Sequence, residues 1–410
     1  MLFRSVTEVP LIIAGAGVAG LVTALSLHQR GIPFHVFEQV GQLAEVGAGL
    51  QLSPNGTRVL ISLGLEDAMR QVVCEAERKE VRHGLSGQTW KLFDLGQDCR
   101  DRFGAPYWFV HRGDLQQVLL SALRQRAPEC LSVGIGVQSA KEQGDHIQVT
   151  LSDGQLLKAS VVLACDGVHS RLRSAMVPSD PVQFTGLMAW RGLVPMDKLP
   201  AHLRVTEAHA IGTNWVGPGA HVITYPLRRA QLMNVVGIIE RDDWRHESWN
   251  QTGTHAELLA DFATWHDDVH RLMRSIEQPF KWALLGRQPL HAYAQGRLCL
   301  MGDAAHPTLP FLAQGANMAI EDGAVMARCL AHGLHARALT LFERARLQRT
   351  TQIVNRSLEN AGRFHNPVLA DVAQAQAYID REWQPDKVRT RYDWLFEYDP
   401  LSIELASAPS

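Results

Sequence analysis

Gly15-Ala16-Gly17-Val18-Ala19-Gly20 constrains this chain more than any other stretch, because of what flanks it. Before it stands an apolar run, Leu11-Ile12-Ile13-Ala14, the pattern of a short strand buried on both faces. After it, Leu21, Val22, Ala24, Leu25 and Leu27 follow a helical pattern that closes at Gly31. Phe34-His35-Val36-Phe37 then reads as a second strand, ending in Glu38. Strand, G-x-G-x-x-G, helix, strand and acid make a complete β-α-β unit of the dinucleotide-binding kind. In such a unit Gly15 permits the tight turn, Gly17 lets a pyrophosphate approach the backbone, and Gly20 lets helix and strand pack closely. The helix start offers unpaired N–H groups and a positive dipole end to phosphates. Glu38, 18 residues past Gly20, is placed to accept hydrogen bonds from a ribose. The unit alone does not separate a nicotinamide from a flavin dinucleotide, and a tight turn without a ligand has the same pattern.

The rest of the composition narrows the setting. A chain of 410 residues has room for two to three domains at about 150 residues each. Forty basic and 42 acidic residues leave a net charge of −2, which argues against a nucleic-acid partner. The six cysteines form no C-x-x-C pair, so neither a disulfide framework nor a metal site is expected, and a reducing, cytoplasmic setting fits. Leu11 to Leu27 is free of charge but, at 17 residues, short for a membrane span, so no membrane association is expected.

Two later motifs repeat the logic of an apolar strand that ends at an acid. Ser160-Val161-Val162-Leu163-Ala164-Cys165 runs into Asp166-Gly167, and Arg171 and Arg173 follow. Leu298-Cys299-Leu300-Met301 runs into Gly302-Asp303, and Pro307 opens an irregular loop that reaches Gln314. From about Ala316 to Leu334, apolar residues at Ala316, Ala319, Ile320, Ala324, Ala327, Leu330 and Ala331 mark a helix with one buried face. Its start, after Gln314-Gly315-Ala316, offers free backbone N–H groups to an anion.

Together the three glycine motifs resemble the signatures of the single-component FAD-dependent aromatic hydroxylases, the group of salicylate hydroxylase and 3-hydroxybenzoate 6-hydroxylase. The resemblance runs from about Leu11 to Arg346 and includes Glu45 to Asn55, His111-Arg112-Gly113-Asp114-Leu115 and Tyr225-Pro226-Leu227-Arg228. It implies an α/β fold: a Rossmann-like FAD-binding domain, an inserted β-sheet substrate domain and C-terminal helices. The FAD domain would be discontinuous, from about residues 1–75, 100–180 and 280–365, with the substrate sheet at 181–279 and a helix and tail at 366–410. Within the second domain, His221 to Tyr225 and Leu232 to Ile239 read as strands, the first ending at Pro226, and Glu257 to Phe262 and Val269 to Met273 as helices. The tail is rich in aromatic residues, which suits a packed helix and a share in a dimer interface; monomer and homodimer both stay open.

The resemblance also implies roles. Glu38 holds the adenosine ribose, Arg112 contacts the FAD chain, Asp166 lies against the cofactor, and Gly302-Asp303 holds the ribityl and pyrophosphate portion. Gly49, Pro307, Gly315, Ala316 and Asn317 complete the cofactor-binding set, the last three facing the isoalloxazine. The implied reaction is hydroxylation of a phenolic aromatic acid, of the salicylate or 3-hydroxybenzoate class, with NADH or NADPH and O₂ through a flavin C4a-hydroperoxide. A 6-hydroxynicotinate-type substrate, an epoxidation or an alkene reduction on the same fold stays open. Phenolate is a better nucleophile than phenol, so a base is needed, and a histidine suits that task. His221 is the candidate, with Tyr225 four residues on along the same strand face. Hydroxylases resembling 3-hydroxybenzoate 6-hydroxylase carry a His and Tyr at this spacing, yet Leu309-Pro310-Phe311 looks like the salicylate hydroxylase loop. The other reading makes His221 an outward polar residue and Tyr225 core. Arg191, Arg228 and Arg287 are unranked candidates for the substrate carboxylate.

Overall fold

The computed structural model describes residues 7–42, 49–242 and 250–405. Leu11–Ala14 is a strand with every residue buried, flanked by parallel strands on both sides. The sheet around it has six strands. From one edge to the other they are Ala294–Gln295, Leu298–Leu300, Val161–Ala164, Leu11–Ala14, His35–Glu38 and Leu131–Val133. The helix Val18–Gln29 covers this sheet, and Gly31, with φ +66, turns the chain into the next strand. A helix over Gly315–Leu330, here the central helix, packs against Val18–Gln29 so closely that a Cβ on Gly323 would stand 2.8 Å from the Thr23 nitrogen. The helix Ala336–Phe364, here the long helix, follows it.

A second sheet of eight strands runs in the order Asn250–Thr252, Phe280–Gly286, Gln183–Pro195, Leu232–Glu240, Ala220–Leu227, Ile211–Gly217, Arg78–His83, Thr89–Asp94. Its two ends depart from the boundaries expected from sequence. Phe280–Gly286, expected in the cofactor portion, pairs with Gln183–Pro195. Arg78–His83 and Thr89–Asp94 lie at 76–99, outside both expected portions. The strand Ala220–Leu227 also runs on through Pro226, which lies beyond Thr224, the last residue paired on one flank. A proline with an open flank interrupts no ladder there.

One face of this sheet is covered by the helices His255–Asp261 and Asp267–Arg274, through Leu258, Phe262, Val269 and Met273. The other face looks onto the cofactor body, through residues that include Ala189, Tyr225 and Ile238 against Phe311, Met318 and Phe364. The tail folds as two helices, Val372–Glu382 and Pro385–Phe396, rather than one. Its rings turn inward: Tyr378, Trp383, Tyr392 and Phe396 are buried within the chain, and Trp383 stacks on Phe364. Intrachain packing therefore accounts for the aromatic richness that suggested a dimer contact. All six cysteines are free, and no helix among the described residues is long and apolar enough to cross a membrane.

Candidate active site

Register brings the three motifs together. Ala164 pairs with Ala14 on one side and Leu300 on the other, so the three strands end in one row. Gly15, Cys165-Asp166 and Gly302-Asp303 therefore leave the sheet at the same edge. The fit leaves no room for side chains: a Cβ on Gly15, which has φ +102, would meet the Cys165 carbonyl oxygen at 2.5 Å. One on Gly20 would stand 2.0 Å from the Gly15 oxygen. At Gly17 the same atom would meet nothing within 4 Å, so that backbone faces open space.

That space is a cleft of about 540 Å³ whose lining includes Gly15, Gly17, Glu38, Arg112, Asp166 and Arg171. No side chain caps the helix that begins after Gly17, and its first turn carries no acid. Glu38 holds the turn, its carboxylate accepting from the Ala16 N–H at 2.7 Å and the Val40 N–H at 3.0 Å. Asp166 accepts from the Arg171 N–H at 3.1 Å through one oxygen, while the other is buried without a partner among the described residues. Burial pushes the Asp166 carboxyl up. An open glycine backbone, a bare helix start, an acid for a ribose and an orphaned carboxylate oxygen are donors and acceptors that fit a dinucleotide such as FAD.

The central helix begins at a second, separate point. Gly315 and Ala316 open it, and no side chain caps it. Asn317 does not face outward there. Its amide donates to the Gln51 and Ala313 carbonyls and accepts from the Ser53 N–H, all within 3.0 Å. That side chain ties the helix to the strand Gly49–Leu52, leaving only backbone N–H groups for an anion. Gly49 also has a packing role: a Cβ there would stand 2.6 Å from the Tyr225 ring and 2.8 Å from Asn234. Residues 45–48 of the matching segment lie outside the described residues.

Behind the helix start lies a buried ionic cluster that sequence reading missed. Asp322 accepts from Gly302 N–H at 2.9 Å, lies 2.7 Å from His306 Nε2, and pairs with Arg346 at 2.7 Å. Glu321 pairs with Arg346 and Arg349, both at 2.7 Å, and accepts from Asn55 at 2.6 Å. Burial alone would raise both acids, but the facing cations hold Glu321 low and Asp322 at about 2. The signal was present in the sequence as adjacent acids inside an otherwise apolar helix and two arginines three residues apart on the next.

On the inner face of the second sheet, His221, Ile223 and Tyr225 alternate along one strand, as period two requires. Ala189, Ile238 and His221 form one row, Arg191, Val236 and Ile223 the next, and Leu193, Asn234 and Tyr225 the third. His221 is not outward: it is fully buried, boxed by Phe311 at 5.4 Å and Phe364 at 5.1 Å between ring centres. Burial, then the neighbouring His365, pushes its pKa well below the usual imidazole value. Its Nε2 is buried with no partner among the described residues. Burial pushes the Tyr225 phenol up, so it stays protonated and is able to donate.

The three arginines now differ. Arg228 is held by two hydrogen bonds to Asp114, at 2.9 and 2.8 Å. Arg287 pairs with Asp180 at 2.9 Å. Arg191 packs over the Trp282 ring at 4.8 Å, and its Nε is buried without a partner among the described residues.

Comparison with known proteins agrees with this geometry. The FAD binding domain family matches residues 8–357. The 3-amino-4-hydroxybenzoate 2-monooxygenase PtnB3 of Streptomyces platensis is 36% identical over 393 residues, covering 95% of this chain and 96% of its own. The 6-hydroxynicotinate 3-monooxygenase of Pseudomonas fluorescens is 32% identical, over 85% of this chain and 90% of its own. The 3-hydroxybenzoate 6-hydroxylase of Klebsiella oxytoca is 30% identical, over 91% and 95%. A salicylate hydroxylase solved as a substrate complex shares the fold, with a TM-score of 0.77 at 24% identity over 96% of each chain. The chain belongs to the FAD binding domain family, and within it to the flavin-dependent aromatic monooxygenases.

Proposed function

We propose that this enzyme hydroxylates a six-membered aromatic ring that carries both a hydroxyl and a carboxylate, using O₂ and NADH or NADPH. The three relatives named above act, by their names, on 3-amino-4-hydroxybenzoate, 6-hydroxynicotinate and 3-hydroxybenzoate. Their common chemistry is one ionisable ring hydroxyl and one carboxylate. The observation that carries the reading is Arg191: on the sheet face of His221 and Tyr225, it has its Nε buried without a partner, and no anion pairs with it among the described residues. A guanidinium stays charged, and a desolvated charge without a counter-ion is costly. A substrate carboxylate would supply the missing partner. Arg191 and His221 sit on strands separated by one other and in adjacent rows of the same face, so their backbones are ~12 Å apart.

In this reading Arg191 binds the carboxylate, Tyr225 donates a hydrogen bond to the ring oxygen, and His221 Nε2 accepts the phenol proton. Phe311 and Phe364 keep water from the reacting edge. Bound FAD supplies the redox chemistry between the nicotinamide and O₂. Gly17, Glu38, Arg112, Asp166 and Asp303 would hold it on the cleft side, and the start of the central helix would face its ring.

The deciding experiment measures O₂ uptake with NADH and NADPH over 3-amino-4-hydroxybenzoate, 3-hydroxybenzoate, salicylate and 6-hydroxynicotinate, with product identification. A hydroxylated product from one of them is expected; nicotinamide oxidation that yields only H₂O₂ with all four counts against the proposal. Arg191→Met is expected to raise KM for the carboxylate substrate by roughly 10–150-fold, the worth of one charged hydrogen-bonded contact, with a smaller change in kcat. An unchanged KM removes Arg191 from the role. Asp303→Ala is expected to weaken FAD retention about tenfold or more, read as the 450 nm to 280 nm absorbance ratio after gel filtration. A fully yellow variant removes Asp303 from the cofactor set.

A further inference from the structure

His221 does not stand alone in its pocket. Its Nδ1 lies 2.6 Å from Nε2 of His365, and Nδ1 of His365 lies 2.9 Å from a carboxylate oxygen of Glu240. The His365 side chain is 1% exposed and that of Glu240 is 58% exposed. We propose that His365 and Glu240 form a proton relay that carries the substrate's phenol proton from His221 to solvent. The proposal rests on the reading of His221 as the base.

Hydrogen-bond arithmetic fixes the direction. A carboxylate only accepts, so the hydrogen between His365 and Glu240 belongs to His365 Nδ1. In a neutral His365 the other nitrogen, Nε2, is then a bare acceptor. His221 must therefore donate to it from Nδ1, which leaves His221 Nε2 as a bare lone pair. That nitrogen is the one His221 atom without a partner among the described residues. Glu240, at the surface, thus sets the tautomer of a histidine two rings away. The chain transfers a proton without changing the charge of either ring, and both imidazoles end in their other tautomer, from which return of the hydrogens to Nδ1 resets the relay. The phenol O–H bond breaks as an N–H bond forms at His221 Nε2. The Nδ1 hydrogen of His221 passes to His365 Nε2, and the Nδ1 hydrogen of His365 passes to Glu240, which gives it up to solvent. One proton enters at the ring and one leaves at the surface.

The pocket makes such a relay necessary. His221 and His365 are walled by Phe311 and Phe364, so bulk water does not reach the base. Burial opposes a charged His221, so this base is poorly suited to keeping a proton. Passing it on removes that difficulty. The parts are also tied together. The Gly219 N–H donates to the His365 carbonyl at 3.0 Å, and the Glu240 N–H donates to the Gly219 carbonyl at 2.9 Å. One turn, immediately before the strand of His221, holds the relay in line.

The test mixes oxidised, FAD-loaded enzyme with 3-amino-4-hydroxybenzoate and 3-hydroxybenzoate, without nicotinamide, in weak buffer. Phenolate absorbance and the proton released to an indicator dye are followed by stopped flow. His365→Ala is expected to slow both signals about tenfold or more, with FAD content and substrate Kd unchanged, and added imidazole is expected to restore the rate. An unchanged rate overturns the relay, and so does a slowed variant that imidazole does not speed. Should His365→Ala not fold, Glu240→Gln on the surface carries the test: slower release supports the relay, an unchanged rate overturns it. His221→Gln separates the two ideas. If it alone abolishes the signals, the base stands and the relay falls; if it leaves them intact, the base reading falls first.

Discussion

Replacing His221 with glutamine is expected to lower hydroxylation about 10²–10⁴-fold at neutral pH, while the purified protein stays yellow and its substrate KM changes little. The split follows from where the groups sit. FAD lies, in this reading, with the cleft and the central helix, and His221 belongs to neither. Arg191 and Tyr225, the groups proposed to hold the ring, stay in place. Glutamine keeps a polar group of similar reach opposite His365, so the pocket is not emptied. What is lost is a nitrogen lone pair able to take a proton. Steady-state kinetics with product analysis, beside the flavin spectrum, gives the answer, and wild-type turnover in the variant would sink the role assigned to His221.

Arg346→Met is expected to destabilise the protein by about 3–5 kcal/mol, the usual cost of stripping one partner from a buried charge cluster. Arg346, Glu321 and Asp322 are all fully buried, so water cannot replace the lost guanidinium. Arg349 and His306 remain, but each already serves one carboxylate. The damage reaches the site, because Asp322 also fixes the Gly302 N–H. Urea unfolding and flavin release on heating should therefore shift together. A variant with both midpoints unchanged contradicts the account. Acid should act on the same cluster. The Asp322 carboxyl is held down to about 2, below its unfolded value of about 3.9. Its contribution is thus complete above about pH 4 and fades as pH falls toward 2.

How much of this was legible depended on distance along the chain. The β-α-β unit could be read because its geometry is local: Gly15 and Gly20 meet backbone atoms that any residue with a Cβ would strike. The shared face of His221 and Tyr225 followed from period two. The meeting of Asp166 and Gly302-Asp303 with Gly15 rests on strand pairings across more than a hundred residues and came only through family resemblance. Choosing among the arginines required knowing that Asp114 and Asp180 neutralise Arg228 and Arg287, 114 and 107 residues away. His365 gave no signal, since a histidine at the end of a helix is ordinary. The strand Arg78–His83 was hidden by its charges, which are paired to one another: Arg78 and Arg82 flank Glu80.

The interleaving of the two sheets governs what happens on the ribosome. Val161–Ala164 can pair with Leu11–Ala14 early, but its other neighbour arrives only with Leu298–Leu300. At ordinary synthesis rates that wait lasts roughly 7–30 s, counted from residue 164 to residue 300. Throughout it a wholly apolar strand presents a bare edge, the kind of surface that seeds aggregation. Neither sheet can be completed before residue 286. The nascent chain thus passes through a long interval in which that edge lacks its partner strand, and the row of turns beside Gly15 is complete only once residue 303 has been made.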